Sequence, residues 1–290
     1  MPLLYTSRQP PAASRLAAAL PASTYFPGHR TAGDGVVVAS GVTGYATAPA
    51  RISEPDSGAI VRPIAEALRM DDLSRYYADR APEYERIYRK PERQSDLGVL
   101  RGTVASYFAG CSVLEMACGT GYWSHEAARG ARRLVGLDIN EAVLAIARAK
   151  PHDADRVRFV TGDLYTASDL GGPFDAALAA HWWSHVPLDA TAAFLDALHA
   201  QLTEGARVML LDNNFVPGSS TPVSRRDNQG NTYQERRLDD GSTHEVLKNF
   251  PSDADLEAAV GARGADITIE RLTYYWTVTY RVRAGVDQAG

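Results

Sequence analysis

The chain predicts an α/β fold built on a doubly wound, mostly parallel sheet, and three observations carry that prediction. An apolar run, Val113-Leu114-Glu115-Met116, ends in the turn Ala117-Cys118-Gly119-Thr120-Gly121 and leads into a helical pattern. Two more runs, Arg133–Ile139 and Val157–Thr161, follow at short intervals, each with a carboxylate at or just beyond its end. Helical periodicity separates the runs, and strands alternating with helical stretches build parallel sheets through crossover helices.

The first strand is read from its apolar run and the turn that stops it. Gly119 and Gly121 tolerate φ > 0 and leave room for a ligand to approach the backbone. The following helix aims its N-terminal amides at such a ligand. Turns of this kind also use glycine for geometry alone, so the loop needs support from its neighbours. The second strand supplies it with Asp138, about 20 residues past the glycines, where a nucleotide-binding unit places the acid that accepts ribose hydroxyls. Asn140 then N-caps a helix over Glu141–Lys150. The third strand ends at Gly162-Asp163-Leu164. Three successive strand ends thus carry Glu115, Asp138 and Asp163 at the edge where doubly wound sheets bind ligands.

A fourth strand, Phe174–Ala180, runs into His181-Trp182-Trp183-Ser184-His185-Val186-Pro187. Two indoles beside two imidazoles suit a pocket with flat apolar walls and a titratable group, so His181 or His185 is a candidate proton acceptor. The plainer alternative is packing for the indoles and backbone hydrogen bonding for the imidazoles. Asp189 is expected to cap a helix running to Leu202, and Ala206–Leu211 to form a fifth strand ending at Asp212-Asn213-Asn214. A polar insertion over 215–250 carries turn signals, with Thr232–Leu238 and His244–Leu247 able to pair. A flap whose arginine, such as Arg236, meets an acceptor carboxylate is one reading, since guanidinium matches carboxylates; a solvated surface hairpin is the other. Ser252 and Asp255 form a capping pair for the last helix. Ile267–Leu272 and Tyr274–Val282 are the closing strands.

Upstream, residues 1–69 are rich in Pro, Ala, Ser and Gly and are read as a low-complexity, disordered extension, or as sequence preceding a start at Met70. Arg8, Arg15 and Arg30 precede the first acid, Asp34, as in an organellar transit peptide, but no convincing amphipathic helix accompanies them. Removing residues 1–69 is therefore expected to leave fold and activity intact. Residues 70–290 make the main domain, opening with a helical cap over 70–109. Leu73, Tyr76, Tyr77, Arg80, Ala81, Tyr84, Ile87 and Tyr88 recur at helical spacing there, predicting helices near 71–89 and 93–108.

Composition agrees with a soluble enzyme. The 290 residues carry a net charge of −5 without runs of Lys or Arg, which argues against a duplex nucleic-acid binder. The 2 cysteines, Cys111 and Cys118, are too few for a disulfide framework or a zinc site. No apolar run reaches the roughly 18 residues of a membrane span, and the cytoplasm is the default location.

As a set, the motifs E-x-A-C-G-T-G, L-D-I-N, G-D-L and F-D-A-A-L resemble those of class I S-adenosylmethionine-dependent methyltransferases of the small-molecule type, over roughly residues 71 to 283. The resemblance implies a seven-stranded Rossmann-like sheet with a C-terminal antiparallel hairpin and an N-terminal helical cap. It implies S-adenosyl-L-methionine as cofactor, with the loop residues Ala117, Gly119, Thr120 and Gly121 around the methionine portion and Glu115 and Ile139 among its further contacts. Asp138 would hold the ribose hydroxyls, and Asp163 with Leu164 would bind and flank the adenine. Tyr77, Ala81 and Tyr84 match a Y-x-x-x-A-x-x-Y element that lies over the cofactor in such proteins. Tyr77 or Arg80 would reach the methionine carboxylate or the acceptor; ordinary helix packing is the alternative. Tyr84, Trp182, Trp183, Tyr233 and Arg236 are the candidate acceptor contacts. Ala117 departs from the family in standing where many members have glycine.

A sulfonium methyl is already a strong electrophile, so alignment and water exclusion are the protein's main tasks and a general base is optional. The segment after the fourth strand lacks the Asn/Asp-Pro-Pro-aromatic motif of adenine or amide methylation, and no Pro-Cys nucleophile is present. Methylation of O or N on a small molecule remains, with no metal, nucleic acid or membrane involved and the choice between monomer and homodimer open. A nicotinamide-dependent oxidoreductase is the rival enzyme reading, weakened by the absence of G-x-G-x-x-G and of a downstream Tyr-x-x-x-Lys pair. A catalytically silent cofactor- or partner-binding protein is the third reading.

Overall fold

The computed structural model describes residues 75–283. The extension expected at 1–69 and the first residues of the cap lie outside the described residues.

Five strands run parallel: β1 (Ser112–Met116), β2 (Arg133–Asp138), β3 (Val157–Thr161), β4 (Phe174–Ala180) and β5 (Leu202–Asn213). Two more, β9 (Gly264–Arg271) and β10 (Tyr275–Val282), complete a seven-stranded sheet in the order β3-β2-β1-β4-β5-β10-β9. β10 is antiparallel to both of its neighbours, which is the terminal hairpin the sequence predicted. β1 lies between β2 and β4, so the strand order reverses beside it, and a doubly wound sheet opens its ligand crevice there.

Side chains alternate across the sheet and both faces are apolar, as a sheet covered by helices on each side requires. On one face Val113, Ala176, Leu178 and Leu211 pack with Leu97, Leu100, Val104 and Phe108 of helix α1 (Gln94–Tyr107) and with Trp123 and Ala127 of α2 (Tyr122–Ala128). On the other face Leu114, Met116, Ala177 and Leu210 meet Phe194, Leu195 and Leu198 of α4 (Thr191–His199) and Leu256 and Val260 of α5 (Asp253–Gly261). Helix α3 (Glu141–Ala149) starts at Asn140, whose side chain accepts from Ala142 N at 3.0 Å. Ser252 and Asp255 form the expected reciprocal capping box on α5.

Several expected boundaries move, each for a local reason. The single helix expected over 71–89 is a short α-helical stretch at 75–80 followed by 3₁₀ turns over Ala81–Arg89, with Pro82 in the first turn of the latter. The second cap helix begins as a 3₁₀ turn, Pro91–Arg93, before α1. Asp189 does not cap α4: it sits inside the turn Leu188–Ala190 and accepts from Gln229 Nε2 at 3.0 Å. That helix ends at His199, and β5 starts at Leu202, earlier than its apolar core suggested, with Gly205 at φ 72 inside it. In the insertion, β7 (Thr232–Arg237) pairs with β8 (Thr243–Leu247) and also with the short β6 (Arg225–Arg226), making a separate three-stranded sheet.

Candidate active site

The loop after β1 is shaped by three consecutive demands on its backbone. Ala117, Gly119 and Gly121 all take positive φ, at 53, 55 and 73°. Gly119 N donates to Asp138 Oδ2 at 2.8 Å, and Asn140 N donates to Oδ1 of the same carboxylate at 2.9 Å, so the acid after β2 fixes the loop after β1. A Cβ on Gly121 would press against Ala147 Cβ at 3.0 Å, because the first turn of α2 abuts α3. Glu85 from the cap closes over the loop, accepting from Thr120 Oγ1 at 2.8 Å and from Lys150 Nζ, while Lys150 Nζ also reaches Thr120 O at 2.6 Å.

Glu115 lies beneath this loop, fully buried, and accepts from Ser124 Oγ on α2. Burial pushes its carboxyl up to about 8, with Asp138 adding and Ser124 opposing. Cys118 is buried in the loop, and burial raises its thiol well above the ordinary range.

Above the loop opens a cleft enclosing about 780 Å³ of empty space, open solvent at its mouth included. Ala117, Gly119 and Thr120 form its floor; Asp138, Ile139, Asp163 and Leu164 its far side; Tyr77, Tyr84, Trp182 and both imidazoles its near side. Ile139 is 47% exposed directly after the acid and offers a flat apolar rest beside it. Of the residues expected around the cofactor, Glu115 and Gly121 stand behind the wall. Arg80 lines a second, neighbouring cavity, its guanidinium 5.0 Å from the centre of the Tyr84 ring.

That second cavity, about 610 Å³ of empty space with the open solvent at its mouth, shares Tyr77, Tyr84, His181 and His185 with the cleft, so the two spaces meet at these four side chains. Arg236 lines it, as do Lys90, Arg93 and Lys248, which sequence reasoning missed. Two expected acceptor contacts line neither space. Trp183 packs edge-on against Phe194 and Trp276 in the core, and Tyr233 lies under the Arg225 guanidinium at 3.6 Å with its hydroxyl donated to Asp227 at 3.0 Å.

The two imidazoles at the meeting point differ in what their nitrogens can do. Leu247 O can only accept, so His185 Nδ1, 2.7 Å away, carries the hydrogen and Nε2 accepts from Tyr77 Oη at 2.8 Å. Burial, then Lys248, holds His185 well below the ordinary histidine range, while burial holds the Tyr77 hydroxyl well above its own. His181 takes φ 59 at the end of β4. Arg93 donates to Asn213 Oδ1 at 3.1 Å, which turns the amide nitrogen of Asn213 toward His181 Nδ1, also at 3.1 Å. The His181 Nε2 atom is buried and has no partner among the described residues. Burial lowers this imidazole too, against the pull of Asp212.

Behind them, Asp212 is fully buried and takes Ser184 N at 2.9 Å, Ser184 Oγ at 2.7 Å and Lys248 Nζ at 3.0 Å. Burial alone would raise this carboxyl, but Lys248 and His181 hold it well below the usual carboxylate range. This network is invisible in sequence because Asp212 closes β5 while Lys248 follows the insertion strand β8. Among the described residues no three metal-ligating side chains cluster, and no helix is long and apolar enough to cross a membrane.

Residues 113–205 match the family model of a methyltransferase domain. The ubiquinone biosynthesis O-methyltransferases of Pseudomonas paraeruginosa and Pseudomonas aeruginosa are 28% identical over 157 residues, which cover 53% of this chain and 64% of theirs. The chain therefore spans less than two thirds of the length of these curated relatives. Among solved structures, the DhpI–SAH complex aligns with a TM-score of 0.60 at 27% identity, covering 74% of this chain and 97% of that one. The DhpI–SAM–HEP complex gives 0.59 at 27%, covering 73% and 97%. The PH0226 protein of Pyrococcus horikoshii shares the fold at a TM-score of 0.56 and 18% identity, covering 69% and 99%.

Proposed function

We propose that this class I S-adenosylmethionine-dependent methyltransferase moves a methyl group to an oxygen or nitrogen atom of a small-molecule acceptor held in the second cavity. The observation that carries the reading is the shared wall: among the described residues Tyr77, Tyr84, His181 and His185 belong to both spaces, so contents of one can meet contents of the other there. The similarity to O-methyltransferases favours oxygen as the acceptor atom.

The residues present fit the cofactor. The positive-φ loop leaves open space at Gly119, Asp138 presents a carboxylate in the cleft, and Ile139 with Leu164 supplies apolar faces for a planar ring. The cofactor, when bound, supplies a methyl group already activated by its sulfonium. What the chain does is bind, orient and dehydrate. The Asp138 carboxylate holds the loop in shape and faces ribose hydroxyls; Asp163 and Leu164 flank the base. The tyrosines of the cap roof both spaces and keep water from the transfer line. His181, a residue of the shared wall, orients the acceptor there. For an acceptor that arrives protonated, its proton passes to Tyr77 Oη as the tyrosine proton passes to His185 Nε2, along the 2.8 Å hydrogen bond.

The test is to incubate the full chain with S-adenosylmethionine and a panel of phenols, hydroxy acids and amines, reading release of S-adenosylhomocysteine and gain of one methyl by the acceptor. Turnover with at least one oxygen or nitrogen acceptor is expected. Tight cofactor binding with no turnover across the panel would support the catalytically silent reading instead.

A further inference from the structure

The second cavity holds more positive charge than a neutral acceptor requires. Arg80, Lys90, Arg93, Arg236 and Lys248 all line it, and among the described residues no carboxylate does. Lys248 is neutralised by Asp212. Of the other four, Lys90 Nζ donates to Ser219 O at 3.0 Å, Arg93 to Asn213 Oδ1 and Ser219 Oγ, and Arg236 to Gln234 Oε1, while Arg80 rests on the rings of Tyr76 and Tyr84; the Glu92 carboxylate, outside the cavity lining, accepts from Ser219 Oγ at 3.0 Å. The chain as a whole is acidic, so this concentration is not a reflection of its composition. Arg93 is buried and meets the Glu92 carboxylate only through Ser219 Oγ, and a desolvated cation without a directly paired anion is costly. Burial and then Arg80 pull Arg236 down, against the neighbouring tyrosines, and burial and then Arg93 pull Lys90 down, against Glu92. An anion among them would relieve both the desolvation and the repulsion. Thr221 adds a hydroxyl to the same lining.

We infer that the second cavity recognises a doubly charged acidic group on the acceptor, a phosphate-type oxyanion or a pair of carboxylates, gripped by Arg80, Lys90, Arg93 and Arg236. The reacting atom then projects toward the wall shared with the cleft. The assignment of this cavity to the acceptor rests on the methyltransferase reading; its preference for an anion rests on its own charges. Guanidinium groups suit both candidate anions, since each offers paired oxygens to a planar fork of donors.

Calorimetric titration of the full chain at low salt, with and without S-adenosylhomocysteine, against inorganic phosphate and against malonate tests this. Saturable binding of at least one probe is expected, weakened about tenfold in Arg236→Gln and in the more peripheral Lys90→Gln, while S-adenosylhomocysteine affinity stays within about threefold. Arg236→Lys, which keeps the charge, should retain part of the binding. Preference for phosphate assigns a phosphoryl-type group, and preference for malonate a dicarboxylate. Absence of saturable binding by both probes, or wild-type affinity in both charge-removing variants, overturns the inference. If the anion binds but S-adenosylhomocysteine does not, the anion site stands and the methyltransferase reading falls; the opposite result removes the anion site alone.

Discussion

Ala117 holds a left-handed backbone at φ 53 that its Cβ resists, at the position where the resembled family often has glycine. Relief of that strain, of order 1–2 kcal/mol, exceeds the extra unfolded-state entropy of glycine, roughly 0.5–1 kcal/mol. Ala117→Gly should therefore raise the melting temperature by about 1–3 °C; a fall would show that the methyl packs usefully. Glu115 gives a pH signature. Its carboxyl sits at about 8 in the fold, against an unfolded value of about 4.3. The folded state then binds the extra proton, so the carboxyl contributes stability that is complete below the unfolded value and is lost as pH rises toward 8. Thermal stability should decline between pH 5 and 8, and Glu115→Gln should flatten that slope; parallel curves for the two proteins would contradict the assignment. At the meeting point, His181→Ala and His185→Ala should each lower kcat by on the order of 10²-fold while S-adenosylhomocysteine affinity changes only a few-fold. Equal losses in both quantities would make the imidazoles structural.

Elements defined by local periodicity and caps were legible in the sequence; those defined by distant partners were not. The apolar runs located β1 to β4, and Asn140 and the Ser252–Asp255 box marked their helix starts, because each signal lies within a few residues of what it controls. Pro82 redirected the first cap helix into 3₁₀ turns, and Asp189 went to Gln229 rather than to an amide of α4, a choice made by the insertion packing nearby. Close packing between elements was equally hidden. A Cβ on Gly130, in the turn after α2, would lie 2.0 Å from the carbonyl oxygen of Ala105 in α1. Backbone cannot yield as a side chain can, so Gly130→Ala should separate α1 from that turn and lower the melting temperature by about 5 °C or more, or abolish soluble expression. A melting temperature within a degree of wild type would show that the contact is looser than described.

At the scale of the whole molecule, the sheet's carboxyl edge brings four loops and the cap to one place, and the site was legible to the extent that residues come from those loops. Ala117, Gly119, Thr120, Asp138, Ile139, Asp163 and Leu164 were visible because strand and loop are contiguous in sequence, and all seven line the cleft. Trp183 and Tyr233 were plausible by type alone, and packing took both elsewhere. Lys90, Arg93, Asp212 and Lys248 gave no signal, since their meaning arises only when the cap, β5 and the insertion converge. Such a charged cavity beside the cleft is a property of the assembled fold. The account depends first on that cleft. Calorimetric titration of the full chain with S-adenosylhomocysteine and, in parallel, with NAD measures this most directly. One-to-one saturable binding of S-adenosylhomocysteine and none of NAD is the predicted result; binding of NAD instead, or no heat from S-adenosylhomocysteine even at millimolar concentration, would contradict it.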